Sequence, residues 1–159
     1  MRNQGIIGIP QEEQKIADFS PNPNITIEFT ISFSEGLIHE IQVLVNSCKG
    51  DKRDRFGHIK YWKCMLALIP FILKKDITMM DINETISQRI SFSKDQIVRS
   101  LNRFADRKVL IRIGKGPYSR WKLNRALFPT LFFLCRTRKL THIVRRQLAL
   151  SVANDSSYS

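Results

Sequence analysis

Four polar side chains that could bind planar, acceptor-rich partners lie within residues 96–103. Arg99 and Arg103 are four residues apart, about one helical turn, so their guanidinium groups would leave a helix on the same side. Each guanidinium is a planar fork of N–H donors that matches the O6 and N7 acceptors of guanine. The amides of Gln96 and Asn102 can pair with adenine. We therefore predict base-edge contacts to DNA from Gln96, Arg99, Asn102 and Arg103.

A second cationic element follows this segment. Residues 109–113 and 119–123 alternate in polarity on either side of the turn sequence Gly114-Lys115-Gly116-Pro117, which predicts a β-hairpin. The alternation predicts an inner face made of Ile111, Ile113, Trp121 and Leu123. It predicts an outer face with Arg112, Tyr118, Arg120 and Lys122.

A basic ribbon with a glycine tip can follow a sugar-phosphate backbone without steric conflict. A helix that starts at Ser93 would also turn exposed backbone N–H groups toward phosphate. The predicted backbone contacts are Ser93, Lys94, Arg112, Lys115, Tyr118, Arg120 and Lys122. Both cationic surfaces also have a plainer interpretation, namely a solvated helix face and a charged edge strand that resists association.

Three predicted helices would position these side chains. Ser93 with Gln96 has the form of a capping box, and it opens the helix that carries the two arginines. Asp81-Ile82-Asn83-Glu84 has the same form and opens a shorter helix before it. The stretch His58–Lys75 is apolar nearly all round, which predicts a buried central helix with a kink or break near Pro70.

The order of buried helix, capped short helix, tight break, capped helix and basic hairpin is typical of a winged helix-turn-helix. Residues 82–97 also resemble the bacterial helix-turn-helix family, in which an apolar and a small residue sit midway along the first helix, here Ile86 and Ser87. Ser91 stands in the turn where that family commonly has glycine. The resemblance covers about residues 58–124, and it implies a recognition helix in the major groove and a wing on the backbone.

The rest of the chain extends this unit on both sides. Strict alternation over residues 25–33 predicts a half-buried strand, followed by a helix that Ser34 would cap. The predicted fold class is α+β, mostly helical, a winged helix-turn-helix with an extra amino-terminal strand and helix and a carboxy-terminal helix. Its predicted parts are a flexible arm (1–24), a strand and helix packed on the core (25–56), the winged helix-turn-helix (57–124), an amphipathic helix (125–152) and a disordered tail (153–159).

The charge is concentrated toward the carboxyl end. The chain has 26 Lys and Arg against 14 Asp and Glu, a net charge of +12. Residues 94–124 alone carry nine basic and two acidic side chains, whereas residues 1–56 carry six and eight. A surface that only needs solubility mixes its signs, so this gradient favours a polyanionic partner.

Other classes of function find little support in the sequence. Cys48, His58 and Cys64 have poor spacing for zinc, and no catalytic triad or glycine-rich phosphate loop is visible, so we expect no enzyme, metal or cofactor. The longest apolar run, Cys64–Leu73, is ten residues, well below the ~20 that span a bilayer. Three scattered cysteines and the lack of a secretory signal pattern favour the cytoplasm.

We therefore expect sequence-specific binding of double-stranded DNA by a homodimer, as in bacterial transcriptional regulators. The layout is also similar to small plasmid and phage replication proteins, because Trp121-Lys122-Leu123-Asn124 followed by Leu127-Phe128 looks like the ending of their winged helix. That resemblance implies a mobile-element or bacterial protein that binds an origin and recruits host polymerase or replication machinery. A third alternative is a basic protein-interaction or membrane-surface module, suggested by the basic face from Arg136 to Arg146, although we expect no membrane partner.

Overall fold

The computed structural model describes residues 23–49, 61–138 and 140–155, which form an α+β fold that is mostly helical. We number its helices α1 (Pro23–Ser47), α2 (Tyr61–Lys74), α3 (Met79–Asp81, a π-type turn at Ile82–Ile86, and Ser87–Arg89), α4 (Lys94–Asp106), α5 (Pro129–Phe132, continued by a π-type turn at Phe133–Thr137) and α6 (Thr141–Ala153). The strands are β1 (Ile77–Thr78), β2 (Leu110–Ile113) and β3 (Arg120–Leu123), which form one antiparallel sheet in the order β1-β3-β2.

The amino-terminal helix takes the place of a predicted strand. We expected residues 25–33 to be extended, but α1 runs without interruption from Pro23 to Ser47, so Ser34 caps no helix. A strand needs a partner edge for its backbone groups, and the described strands pair only with one another. A helix satisfies these groups internally, and proline at its first position already has a helical φ. The predicted arm, apart from its last two residues, lies outside the described residues.

The central helix α2 is buried as predicted, with Met65, Leu68 and Ile72 in the core. It continues through Pro70 to Lys74 without a break. Pro70 is exposed, so its missing N–H lies on the solvent side, while buried residues before and after it keep the helix in place. The first three residues of the predicted segment, 58–60, lie outside the described part of the chain.

The helix α3 begins one turn earlier than the capping pattern suggests. Thr78 is the N-cap, and its Oγ1 accepts the backbone N–H of Asp81 at 3.2 Å. The carboxylate of Asp81 accepts the N–H of Thr78 in return, at 2.9 Å. Asp81 is therefore the N3 residue of a capping box rather than the N-cap, because the side-chain oxygen of Thr78, three residues earlier, already caps the helix. The second predicted box, Ser93 with Gln96, is confirmed.

The inner face of the sheet differs from the prediction on β2. Val109 and Leu110 are both buried, and β2 then pairs Leu110 with Leu123 and Arg112 with Trp121. Directly paired residues share a face, so Leu110 and Arg112 lie on the Trp121 side. Ile111 and Ile113, predicted to be inward, are 44% and 43% exposed on the other face. A one-residue change of phase moves every side chain of a strand to the opposite face.

The carboxy-terminal region is two helices rather than the single helix predicted over 125–152. The start at Pro129 is confirmed, but the helix ends at Thr137 and α6 begins at Thr141. The N–H of Leu140 bonds to the carbonyl of Leu134 across this break. The break lets α6 turn back onto α1 and bury Val144 in the same core as Leu134. Residues 156–159 of the predicted tail lie outside the described residues.

Two charged side chains with little exposure, Arg136 and Glu40, join these helices to the rest of the fold. Arg136 donates to the carbonyls of Ile72 and Leu73 at 2.7 and 3.2 Å, and to Asp76 at 2.6 Å. The last carbonyls of a helix have no partner within it, so Arg136 satisfies two of them at the end of α2. Among the described residues, no helix is long and apolar enough to cross a membrane.

Glu40 satisfies unpaired backbone N–H groups at the start of α5. Its carboxylate accepts the N–H groups of Thr130 and Leu131 at 3.0 and 2.8 Å, and the residue is 5% exposed. We expect Glu40→Ala to lower the free energy of unfolding by about 2 kcal/mol, because two backbone donors lose their acceptor inside the protein. Urea unfolding with Glu35→Ala as the exposed control on α1 checks this. Equal losses in the two variants would contradict the assignment.

Candidate nucleic-acid interface

The start of α4 holds two of the predicted contact residues in a closed pair of hydrogen bonds. Ser93 Oγ accepts the N–H of Gln96 at 3.1 Å, and Gln96 Oε1 accepts the N–H of Ser93 at 2.9 Å. A bidentate contact to adenine uses both the oxygen and the nitrogen of an amide. Gln96 would have to open the capping box to make that contact. Lys94 is exposed beside it.

The structure brings Arg99 and Arg103 together at one aromatic ring. Arg99 Nη1 lies 3.5 Å from the hydroxyl of Tyr61, and the Arg103 guanidinium lies 4.5 Å from the centre of the same ring. Arg99 also pairs with Asp95 at 3.0 Å, yet its side chain remains 60% exposed. Its pKa is raised above the usual arginine value, first by the hydrogen bond to Tyr61 and then by Asp95. Both arginines are thus oriented at the surface, and Arg103 is the more covered of the two.

The outer face of α4 also carries negative charge. Asp95 and Asp106 are both exposed, and they flank Arg99 and Asn102 on the side opposite the buried Ile97, Leu101 and Phe104. Such a face repels phosphate at the two aspartates and attracts it at the arginines and Lys94. The exposed face of α4 therefore mixes both signs of charge.

Asn102 connects α4 to the hairpin. Its Oδ1 accepts the indole N–H of Trp121 at 3.1 Å and Arg112 Nη1 at 3.2 Å. Arg112 also donates to the hydroxyl of the buried Ser119 at 2.9 Å and lies 5.4 Å above the Trp121 ring. We call Asn102, Arg112, Ser119 and Trp121 the Asn102 cluster. It fixes the hairpin against α4, next to the exposed face of that helix.

The position of Arg112 corrects its predicted orientation. We expected Arg112 to point outward with Tyr118, Arg120 and Lys122, but it shares the inner face with its partner Trp121. The same change of phase that exposes Ile111 and Ile113 causes this. Arg112 nevertheless remains exposed at the edge of the sheet, beside an open groove of about 540 Å³ between α4 and β2.

The hairpin tip is fully exposed and tightly turned. Gly114 has φ +82°, and an added Cβ would lie 2.5 Å from the carbonyl oxygen of Tyr118, so only glycine fits. Lys115 follows it, and a short 3₁₀ turn at Gly116–Tyr118 leaves Tyr118 85% exposed. Lys115 and Tyr118 are therefore both exposed at the tip.

The two cations of β3 lie on the other face of the sheet from Arg112. Lys122 is paired with Ile111, and Arg120 is paired with Ile113. Arg120 also faces Asp76 at 3.9 Å, the carboxylate that Arg136 binds. The residues predicted to contact the DNA backbone therefore fall into three groups. The first group lies off the sheet and consists of Lys94, Lys115 and Tyr118. The second lies on the outer face of the sheet (Arg120 and Lys122), and the third makes hydrogen bonds within the fold (Ser93 and Arg112).

The Asn102 cluster gives a prediction that separates a structural role from a base contact. Trp121 is 1% exposed, so Asn102→Ala leaves a buried indole N–H without an acceptor and should lower the free energy of unfolding by about 1–2 kcal/mol. Asn102→Asp keeps the acceptor and should recover most of that loss in urea unfolding. If the alanine variant is as stable as the parent, the cluster does not hold the hairpin.

Sequence reasoning missed Tyr61, on which the two arginines converge. In the sequence Tyr61 is only one position of the apolar stretch 58–75, and its contact with a helix some forty residues later leaves no local periodic signal. In the described part of the chain, no group of three or more His, Cys, Asp or Glu residues could hold a metal ion. No protein-family model, curated protein or solved structure matches this chain.

Proposed function

We propose that the segment from α2 to β3 forms a winged helix-turn-helix that binds double-stranded DNA in a sequence-specific way, with α4 in the major groove and the hairpin on the DNA backbone. The element order α2-β1-α3-α4-β2-β3 with sheet order β1-β3-β2 supports this assignment. α3 and α4 are joined by the short turn at residues 90–93. The proposed cellular role is transcriptional regulation.

The observation that carries the proposal is the Asn102 cluster. Because one amide oxygen binds both the hairpin's Trp121 and its Arg112, the hairpin is held beside the α4 face that carries Arg99. A duplex that receives α4 in its major groove would then meet Lys115 at its backbone. The fixed spacing between the two elements gives a single register on DNA without ordering a flexible linker.

In this arrangement the cations divide into two tasks. Arg99 and Arg103 are planar donors oriented on α4, which favours base-edge contacts. Lys94, at the start of α4, and Lys115, at the tip, supply point charges that favour phosphate. Arg120 and Lys122 lie on the outer face of the sheet, so they can contact phosphates only if the DNA backbone curves around the hairpin.

Selection from random duplex oligonucleotides at physiological salt tests the proposal. We expect enrichment of a defined site that binds much more tightly than unselected duplex, at least about 1000-fold. Single-stranded oligonucleotides of the same sequence serve as the control. Recovery of no consensus, with equal binding to all duplexes, would contradict sequence-specific recognition.

Lys115→Ala gives a separate prediction for the hairpin tip. We expect similar weakening of binding to the selected and the random duplex, and a decrease of about one in the slope of log affinity against log salt, because one phosphate contact is lost. Fluorescence anisotropy over a range of salt concentrations measures both, with the exposed Arg146→Ala on α6 as the charge-matched control. An unchanged slope would show that the tip does not touch phosphate.

A replication role is the second candidate, favoured by the segment after β3. Asn124 donates to the carbonyl of Lys108 and accepts the N–H of Ala126, and Phe128 is fully buried behind it. This closed turn is the part of the chain that looks like the end of the winged helix in plasmid and phage replication proteins. Binding to repeated origin sites, rather than to one palindromic promoter site, would distinguish that role.

A homodimer remains part of the proposal. α6 packs on α1 within the same chain, yet it leaves Ile143 and Leu150 exposed. Two copies joined through these side chains would match a palindromic site. Sedimentation velocity of the chain with and without the selected duplex distinguishes one copy per half-site from a single bound copy.

A further inference from the structure

A cleft separate from α4 and the hairpin lies between the end of α2 and the start of α6. Its volume is about 420 Å³, within the range of small-molecule sites. Apolar side chains make up most of its surface, and a threonine hydroxyl lies among them. These residues are Pro70, Leu73, Cys135, Thr141, Val144 and Leu148.

The charged residues of the cleft are all cations. Lys74, Arg136 and Arg145 line it, and no Asp or Glu is among the described residues that do so. Arg136 is bound to the carbonyls of α2 and to Asp76, which neutralises it. Lys74 and Arg145 are exposed and lie on α2 and α6, the two helices that line the cleft.

The buried thiol of Cys135 indicates the polarity of the cleft interior. Burial raises the pKa of Cys135 to about 11, and the positive charges of Arg136 and Arg145 act in the opposite direction. The thiol is therefore neutral at physiological pH, and the interior combines low polarity with the positive charge of Arg145. Such a site favours a ligand that is apolar along its length and negative at one end.

We propose that this cleft binds a small amphipathic carboxylate, with its apolar body between Leu73, Val144 and Leu148 and its carboxylate between Lys74 and Arg145. A free fatty acid and an aromatic acid share this chemistry, so both belong in the test. A neutral apolar ligand would offer no negative group to Lys74 and Arg145. The site does not depend on DNA binding.

Calorimetric titration with decanoate, 2-naphthoate and decan-1-ol tests the proposal on the full chain. We expect at least one carboxylate to bind with a dissociation constant below about 1 mM, and the alcohol to bind roughly tenfold more weakly than decanoate. The two acids distinguish a flexible acyl chain from a flat ring as the preferred body. Absence of binding by both acids, or equal binding of decanoate and the alcohol, would overturn the proposal.

Variants locate the binding in the cleft. Arg145→Gln should weaken binding of the carboxylate roughly tenfold, whereas Arg146→Gln, the adjacent exposed arginine outside the cleft, should change it less than about twofold. Leu148→Trp should abolish binding by filling the space, with circular dichroism confirming that the helices remain. Equal effects of the two arginine variants would overturn the placement of the carboxylate.

A second copy of the chain is the competing occupant. If it covers the cleft, decanoate will fail to bind and Leu148→Trp will convert a dimer to a monomer in sedimentation velocity. That result would overturn the small-molecule site. Backbone amide shifts in NMR spectra that are confined to residues such as Leu73 and Val144 on addition of decanoate would support it.

Discussion

Replacing Arg99 by alanine is expected to weaken binding to the selected duplex by about 5- to 100-fold and to relax preference at one base pair. Arg99 is exposed on α4, and Tyr61 and Asp95 orient its guanidinium before any partner arrives. A pre-oriented fork loses little freedom when it forms two hydrogen bonds to guanine, and alanine removes both. Anisotropy titrations against the selected site and its single-base variants measure the effect.

The matched comparison is with Lys115→Ala at the hairpin tip. Arg99→Ala should affect the selected duplex much more than random duplex, whereas Lys115→Ala should affect both alike. Arg103→Ala should resemble Arg99→Ala, with part of its effect passing through the ring of Tyr61 that it covers. If the arginine variants behave like the lysine variant, these arginines contact only phosphate and base recognition lies elsewhere.

Arg136→Ala is expected to cause the largest loss of stability of any single substitution considered, about 3 kcal/mol. Its guanidinium is nearly buried, and its removal leaves the carbonyls of Ile72 and Leu73 and the carboxylate of Asp76 without their donor. Arg136→Lys should recover only part of the loss, because one ammonium cannot reach all three acceptors in the fork geometry.

Urea unfolding measures this loss, and Arg146→Ala serves as the exposed control with a change within about 0.5 kcal/mol. A loss below about 1 kcal/mol for Arg136→Ala would mean that water replaces the lost donor and that the contact is not structural. The same contacts bear on the alternative of a basic membrane-surface module. Arg136 points into the protein, so it does not contribute to an outward basic face from Arg136 to Arg146.

Local signals in the sequence located the central elements well. The capping box at Ser93 and the apolar spacing of Ile97, Leu101 and Phe104 define α4 almost to the residue, since both depend on neighbours within one or two turns. The glycine-rich turn and flanking alternation likewise located the hairpin. The mostly helical α+β class follows from these elements.

The errors arose where a pattern needed a distant partner to be read correctly. Alternation over residues 25–33 suits a strand only if it pairs with another strand, and the described strands pair only with one another. Which side chains of β2 face inward depends on Val109 and Leu110, two consecutive residues that are both buried. A pattern of strict alternation cannot predict two buried residues in a row. The helix break before α6 depends on its packing against α1.

The candidate site shows the same division. Sequence periodicity placed Arg99 and Arg103 on one side of α4, and the structure brings both to Tyr61. Sequence periodicity did not reveal that Asn102 Oδ1 accepts hydrogen bonds from Trp121 and Arg112. Contacts between a helix and a later hairpin depend on strand phase, which was the one feature of the hairpin predicted incorrectly.

The claim that α4 and the hairpin face one duplex together can be tested by site-specific photo-crosslinking. A benzoylphenylalanine replaces Asp95 on α4, Tyr118 at the hairpin tip or, as a control, His142 on α6, all of which are exposed. We predict that the first two crosslink to the same selected duplex within about one helical turn of each other, and that the third does not. Crosslinking from His142 alone, or from only one of the other two positions, would contradict the account.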